Sequence, residues 1–386
     1  MDRWVRQPRV LEFFAGIGLA RVGLERAGLR VAWANDYEPA KKMFYDARFT
    51  PGSHEYALGD VADVRGNSLP QDADVAWSSS PCTDLSLAGA RGGLYTGESS
   101  AFWHFMRVLS ELGPGRPPVA VLENVVGLAT SHGGDDLAAA IRAFNALGYS
   151  VDVLTIDARR FIPQSRPRLF LVALQGHTGS ESSDDEALRP GWLSSVYEDP
   201  TLTTHRWNLP HLPEMLSTGF NELAGRTQLN SSDWWEPVRV ENFLSSLSSI
   251  QMDRLSKLKV RPEVVHRTAY RRTRGGRPTW EIRADDVAGC LRTARGGSSK
   301  QAVVRVGAGT VSVRWMAPGE YASLMGDAEY PIDFARPNQV YYGFGDAVAV
   351  PVVEWLARNY IIPALRGGTL KGASSLRDSF EQRIPL

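Results

Sequence analysis

Val10-Leu11-Glu12-Phe13-Phe14 is an apolar run of the length a buried strand takes, and it leads into Ala15-Gly16-Ile17-Gly18. The apolar positions then switch to helical spacing at Leu19, Val22 and Leu24, and Gly28 closes that helix. Leu29 to Asn35 predicts a second strand with Asp36-Tyr37 at its end. Further strands are predicted at Glu55 to Leu58, ahead of Gly59-Asp60, and at Asp74 to Ser80. A helix over residues 100–112 follows, then a strand at Val119 to Leu122 that ends in Glu123-Asn124-Val125. Next come a helix over 136–147 stopped by Gly148, a strand at Ser150 to Asp157, a loop to Pro167 and a strand at Arg168 to Leu174. Strands alternating with helices predict a doubly wound, mostly parallel α/β sheet. The pair near 150–174, with no helix between its members, predicts one antiparallel hairpin at an edge.

The pattern weakens after that. Gly176 to Arg189 is rich in Ser, Asp and Glu and reads as a flexible loop or boundary. On to about residue 312 the periodicity is weak, Trp and Arg are frequent, and Gly-Gly recurs at 275–276 and 296–297. This predicts a second, smaller, irregular domain. Regular α/β character returns near Val313, and Tyr341-Tyr342-Gly343-Phe344-Gly345-Asp346-Ala347 leads into a helix over 348–360. The expected organisation is therefore a first domain over 1–175, a second over 176–312, a return to the first over 313–365, and a polar tail over 366–386. No internal repeat is evident.

A chain of 386 residues suits one large or two modest domains, and 43% hydrophobic residues is ordinary for a globular fold. The start, Met-Asp-Arg-Trp-Val-Arg-Gln-Pro-Arg, has no signal-peptide core, and no run of about 18 apolar residues predicts a membrane span. Two distant cysteines form no disulfide framework and suit a reducing cytoplasm. The net charge of zero hides an asymmetry. Residues 176–253 hold 12 acidic and 4 basic side chains, whereas residues 252–314 hold 15 Lys/Arg and 5 Asp/Glu. The second bias is either a solvated basic face or a surface that neutralises phosphates.

The opening strand, turn, helix and strand form a βαβ unit with a glycine turn at a strand's carboxyl end, where nucleotide-like ligands bind. The run is not Gly-x-Gly-x-x-Gly, which argues against a dinucleotide and leaves an adenosine-type cofactor. Asp36 has the chemistry to accept ribose hydroxyls, and Tyr37 to stack on a purine; a plain loop carboxylate is the alternative for Asp36. Pro81-Cys82 ends an apolar strand beside a loop containing Gly89, Gly92, Gly93 and Gly97. Such a thiol is either a nucleophile or a small buried apolar residue.

Taken together, Phe14-Ala15-Gly16-Ile17-Gly18, Asn35-Asp36, Gly59-Asp60, Pro81-Cys82, Glu123-Asn124-Val125, Gln164-Ser165-Arg166-Pro167-Arg168 and Gly345-Asp346-Ala347-Val348 with Pro351 form an ordered set. In order and spacing the set resembles the DNA (cytosine-5) methyltransferase family, over about residues 9–175 and 313–360. The resemblance implies a Rossmann-like α/β sheet binding S-adenosyl-L-methionine, with S-adenosyl-L-homocysteine as product and no metal. It implies that Phe14, Ala15, Gly16, Ile17, Gly18 and Leu19 wrap the methionine end. Asp36 would hold the ribose, Tyr37 would stack on adenine, and Asp60 would accept from the adenine amine, with Val61, Pro81, Asp346, Ala347 and Val348 completing the cofactor site. The chain departs from the family at Asp36, usually Glu, and at Asp346-Ala347, usually Asn-Ser; a carboxylate cannot donate as an amide does.

The same resemblance assigns chemistry. Cytosine C5 is a poor nucleophile until a thiolate adds to C6, and Cys82 is the expected attacker. Glu123, protonated through burial, would bond N3, and Arg166 or Arg168 would bond O2. The base must leave the duplex stack, so the loop over 87–97 is an expected lid. Ser86, Arg91, Arg271, Arg272, Arg274, Arg295, Ser298, Ser299 and Gln301 are expected DNA contacts, the target-recognition region lying between the Gln-x-Arg-x-Arg run and the last motif. The expected partners are double-stranded DNA and a cognate restriction endonuclease, with no membrane, in a cytoplasmic, nucleoid-associated setting.

Rival chemistries fit less well. A zinc nucleobase deaminase needs Pro-Cys-x-x-Cys, and Leu85 stands at the second cysteine's place. A cysteine hydrolase needs a partner histidine, and none of the seven sits in a telling context. The family's tRNA-methylating branch carries a Cys-Phe-Thr signature that this chain lacks. Cys82, Glu123 and both arginines argue against a catalytically dead, DNA-binding homologue, an alternative that the unusual Asp346-Ala347 keeps open. Cys290 reads as packing, and Glu241-Asn242, with no strand before it, as a chance repeat of Glu123-Asn124.

Overall fold

The computed structural model describes residues 6–49, 55–81, 93–94, 97–177, 185–227, 230–292 and 300–367. It divides into two compact units, one of residues 1–156, 167–212 and 352–386, the other of residues 157–166 and 213–351.

The first unit is built on β1 (Arg9–Phe13), β2 (Arg30–Asp36), β3 (Tyr56–Leu58), β4 (Val75–Ser78), β5 (Val119–Val125), β6 (Tyr149–Asp157) and β7 (Pro167–Gln175), in the order β3-β2-β1-β4-β5-β7-β6. The pairs β1–β2, β1–β4, β2–β3 and β4–β5 are parallel. A parallel strand covered on both faces reads as an unbroken apolar run, and Val119 to Leu122 are all fully buried. β7 lies between β5 and β6 and runs antiparallel to β5, so the predicted edge hairpin is present with its second strand inside.

The helices of this unit include α1 (Leu19–Arg26), α2 (Pro39–Arg48), α3 (Ala101–Glu111), α4 (Asp135–Ala146) and α5 (Ser194–Glu198). From α3 and α4, Phe102, Phe105 and Phe144 pack edge-on against one another and against Phe13 and Tyr149 at centroid separations of 5.0–6.4 Å. Burying each such ring stabilises the fold by about 1.5–3 kcal/mol.

The composition shift at 176 falls inside this unit, because residues 185–212 dock on β6. Asp152, fully buried on that strand, accepts from the Arg189 guanidinium at 2.6 and 2.8 Å, the Tyr197 hydroxyl at 2.8 Å, the Trp207 N–H at 3.0 Å and the Tyr360 hydroxyl at 3.1 Å. His205 Nε2 lies 2.7 Å from the Tyr360 oxygen, which gives its proton to Asp152, so Nε2 donates and Nδ1 faces Ser150 Oγ at 3.0 Å. Burial holds that imidazole neutral, its pKa pushed down to about 4.

The second unit holds α6 (Phe220–Arg226), α7 (Pro237–Ser245), α8 (Ser249–Lys259), α9 (Pro318–Leu324), α10 (Pro337–Asp346) and a four-stranded sheet. Its strands are β8 (Val265–Arg274), β9 (Arg277–Ile282), β10 (Ala302–Gly307) and β11 (Thr310–Trp315), antiparallel in the order β11-β10-β8-β9. A core of Phe243, Leu255, Ala269, Trp280, Ile282, Val304 and Val313 lies on one face. On the other, the fully buried Arg314 and Glu320 pair through two bonds of 2.7 Å. This stretch is thus more regular than its pattern shows. Arginines occupy strand positions that apolar residues would otherwise mark. Glu241-Asn242 lies within α7, as a helical surface pair.

Residues 337–366 are long and apolar enough by composition to cross a bilayer. The run breaks between α10 and α11 (Val350–Leu356), and Val340, Phe344, Val353 and Leu356 are fully buried.

Candidate active site

Five parallel strands end on one edge of the first sheet, and most of the expected site residues of that unit stand there. Phe13 is level with Asn35 and Ser78, Asp36 with Leu58, and Ser78 with Leu122. The residues that follow each strand therefore gather at neighbouring carboxyl ends, where open α/β sheets hold ligands.

After β1 the backbone turns through left-handed positions at Phe14, Gly16 and Gly18 (φ +58, +56 and +82°). A Cβ on Gly18 would sit 2.4 Å from the Phe49 ring and 2.8 Å from Tyr45, so both its φ and its surroundings require glycine. Asp36 holds this turn from β2: Oδ2 accepts from Gly16 N–H at 2.9 Å and Oδ1 from Glu38 N–H at 3.0 Å. Tyr37 beside it is 48% exposed. Asn35 donates to the Ala57 and Gly59 carbonyls at 2.9 Å and fixes the bend after β3. There Asp60 Oδ1 accepts from Ala62 N–H at 2.8 Å, and Val61 is buried in the core.

Beneath the glycine turn lies a group the sequence reading gave no role. Glu12 is fully buried; Oε1 accepts from Arg21 N–H at 3.2 Å, and Oε2 meets no hydrogen-bond donor among the described residues. Burial pushes its pKa up to about 8, although Arg21 pulls the other way. A polar residue inside an otherwise apolar strand was the available signal.

At the next two strand ends, Asn124 Nδ2 reaches Ser80 Oγ at 3.2 Å and the Ser80 carbonyl at 3.4 Å, both buried. This ties the end of β5 to Ser80-Pro81, directly before Cys82. Asn124 was quoted in the sequence pattern without this part. Cys82, Ser86 and Arg91 lie outside the described residues.

Glu123, one position beyond the level of Ser78, is 7% exposed, and its Oε1 lies 3.1 Å from Arg168 Nε. Antiparallel β7 makes this pair, because Val125 is opposite Arg168 and Glu123 opposite Phe170. The arginines of Gln164-Ser165-Arg166-Pro167-Arg168 fall in different units. Arg166, 2% exposed, belongs to the second, where it donates to the Leu291 carbonyl at 2.7 Å, to Gly345 O at 3.1 Å and to Ala347 O. Gln164, fully buried, accepts from Leu291 N–H at 3.1 Å and donates to Leu324 O at 2.5 Å. These two side chains act as struts between segments of the second unit, and Cys290 Sγ lies 3.3 Å from Arg166 Nη1.

Asp346, Ala347 and Val348 lie in the second unit at the end of α10. Of the expected DNA contacts, Arg271, Arg272 and Arg274 lie on β8. Gln301 is 3% exposed and donates to the Gly289 and Cys290 carbonyls at 2.9 and 3.3 Å. Arg295, Ser298 and Ser299 lie outside the described residues.

A family model described as C-5 cytosine-specific DNA methylase matches residues 8–361. Among curated proteins, the chain is 29% identical over 170 residues to the type II methyltransferase M.Bsp6I of Bacillus sp., covering 43% of this chain and 52% of that protein. It is 26% identical over 175 residues to the type II methyltransferase M.HhaI of Haemophilus parahaemolyticus, covering 45% and 51%. The chain thus spans about half the length of these relatives. Among solved structures, Dnmt2 methyltransferase of S. pombe superposes with a TM-score of 0.61 at 17% identity, covering 93% of this chain and all of that one. The methyltransferase EhMeth of Entamoeba histolytica gives 0.58 at 14%, covering 93% and 98%. At such identities these two establish the fold.

Proposed function

The chain belongs to the C-5 cytosine-specific DNA methylase family, and we propose that it methylates C5 of a flipped-out cytosine in duplex DNA through a covalent adduct with Cys82. The observation that carries this reading is the Glu123–Arg168 pair at 3.1 Å, on the strand end whose Asn124 anchors the residues before Cys82.

S-adenosyl-L-methionine supplies the electrophilic methyl group. The residues present suit it: a left-handed glycine turn leaves backbone clear for close approach, Asp36 and Asp60 offer acceptors for hydroxyl and amine, and Tyr37 offers a ring face. The Cys82 thiolate adds to C6, and the C5–C6 π electrons move into the ring as Glu123 gives a proton to N3. Arg168 bonds O2 and holds the Glu123 carboxyl in place. C5 then takes the methyl, a base removes the C5 proton, and the C6–S bond breaks to return the thiolate while N3 gives its proton back to Glu123. DNA marking beside a cognate restriction endonuclease is the matching biological role.

Bisulfite sequencing of DNA from a methylation-free host expressing the chain reads activity, base and context together. Cys82→Ala should abolish methylation while leaving DNA binding, and duplex DNA carrying 5-fluorocytosine should trap an adduct with the unchanged protein. Full methyl transfer by Cys82→Ala, or no trapped adduct with cofactor present, sinks the mechanism.

A further inference from the structure

Glu12 stands fully buried on β1, two residues before the left-handed turn that opens at Phe14. Its Oε1 accepts from the Arg21 N–H in the first turn of α1, and its Oε2 meets no donor among the described residues. Capping α1 does not account for a carboxyl here. An amide or hydroxyl oxygen would accept from that N–H without burying an ionisable group. Arg21, the cation facing Glu12 among the described residues, directs its guanidinium elsewhere: to Glu25 at 2.8 Å, the Tyr45 hydroxyl at 2.8 Å and Glu55 at 3.1 Å. A carboxyl shut away from water without an ion partner keeps its proton.

The groups facing Glu12 also build the turn. Asp36 on β2 accepts from Gly16 N–H at 2.9 Å, and the Tyr56 hydroxyl on β3 donates to Gly16 O at 3.4 Å. Tyr45 on α2 lies 2.8 Å from the place a Gly18 Cβ would take. With Arg21 and Glu25 from α1 these are the titratable groups set around the carboxyl. Burial pushes both tyrosine hydroxyls up, so they stay neutral. Ala34 and Trp77, level with Glu12 on the flanking strands, bring no charge. A cation arriving at this turn would meet a buried carboxyl that lacks one.

The two forms of the cofactor differ in that charge. The amino and carboxylate groups of the methionine end are common to S-adenosyl-L-methionine and S-adenosyl-L-homocysteine; the sulfonium belongs to the first alone. We propose that Glu12 tells the two apart by proton exchange: its O–H proton passes to solvent when the sulfonium form binds at the turn, and a proton returns from solvent once methyl transfer leaves the neutral thioether. Substrate is then favoured by a charge pair that the product does not make. The inference rests on the cofactor reading above.

Titration calorimetry of the full chain at about pH 7, in two buffers of different ionisation enthalpy, counts the protons released as each ligand binds. With S-adenosyl-L-methionine the unchanged protein should release more protons than Glu12→Gln, by up to one. With S-adenosyl-L-homocysteine the two proteins should match. The ligands' own amines titrate against both proteins alike, so the difference isolates Glu12. The preference for substrate over product, divided by that of Glu12→Gln, should climb by up to about tenfold per pH unit as the pH rises towards 8. Equal proton counts in the two proteins, or a preference ratio flat with pH, overturn the inference. If Glu12→Gln binds no S-adenosyl-L-homocysteine, Glu12→Ala reads the same difference. Loss of that binding in both variants also overturns it, because the carboxyl is then needed to hold the turn itself. A chain that binds neither ligand loses the cofactor reading; one that binds both with no proton linked to Glu12 loses only this inference.

Discussion

Replacing Glu12 by Gln should make the protein more stable, and increasingly so as the pH rises. The carboxyl is fully buried with one oxygen lacking a donor among the described residues, and its pKa is pushed from 4.5 up to about 8. The native state therefore holds this proton more tightly than the unfolded chain does. Its contribution to stability is complete below pH 4.5 and is lost progressively as the pH rises towards 8. A pKa gap of this size, at about 1.4 kcal/mol per pH unit, amounts to about 5 kcal/mol above pH 8 and about 3 kcal/mol at pH 7. Gln keeps the acceptor for Arg21 N–H and cannot ionise, and every other titrating group is common to both proteins. The difference between their denaturant unfolding free energies at pH 5, 6, 7 and 8 therefore isolates Glu12. It should grow with a slope near 1.4 kcal/mol per unit. A constant offset, or a variant that is less stable throughout, would refute the reasoning.

Asn124→Ala should slow turnover by roughly 100-fold, the scale of a small misplacement at a reacting centre, with little change in cofactor KM; steady-state kinetics separate the two. Arg314→Met should destabilise the second unit by about 3–5 kcal/mol, because Glu320 is left buried without its partner. The double change Arg314→Met with Glu320→Leu should recover most of that loss in the same unfolding assay.

The sheet of the first unit was legible because its strands are continuous apolar runs and its turns carry glycine where φ is positive. The strand-end residues were legible for the same reason: chain order alone puts Asp36, Asp60 and Glu123 at carboxyl termini. Two things were hidden. The pairing of Arg168 with Glu123 depends on β7 inserting antiparallel beside β5, a register that periodicity does not encode. The second sheet was hidden because Arg267 and Arg314 occupy inward strand positions through their partners Asp286 and Glu320. The docking of residues 185–212 was hidden too, since its anchor, Asp152, is one polar residue in an apolar strand.

That anchor also imposes an order of assembly. Tyr360, which donates to Asp152 and accepts from His205, lies 208 residues after Asp152 in the chain. At synthesis rates of about 5–20 residues per second, roughly 10–40 s separate their emergence from the ribosome. During that interval the sheet can form and Arg189, Tyr197 and Trp207 can close on Asp152, but His205 waits for its hydroxyl. The whole second unit is translated in the gap. The strands of the first unit thus emerge first, and its buried Asp152 network cannot be completed until Tyr360 follows the second unit.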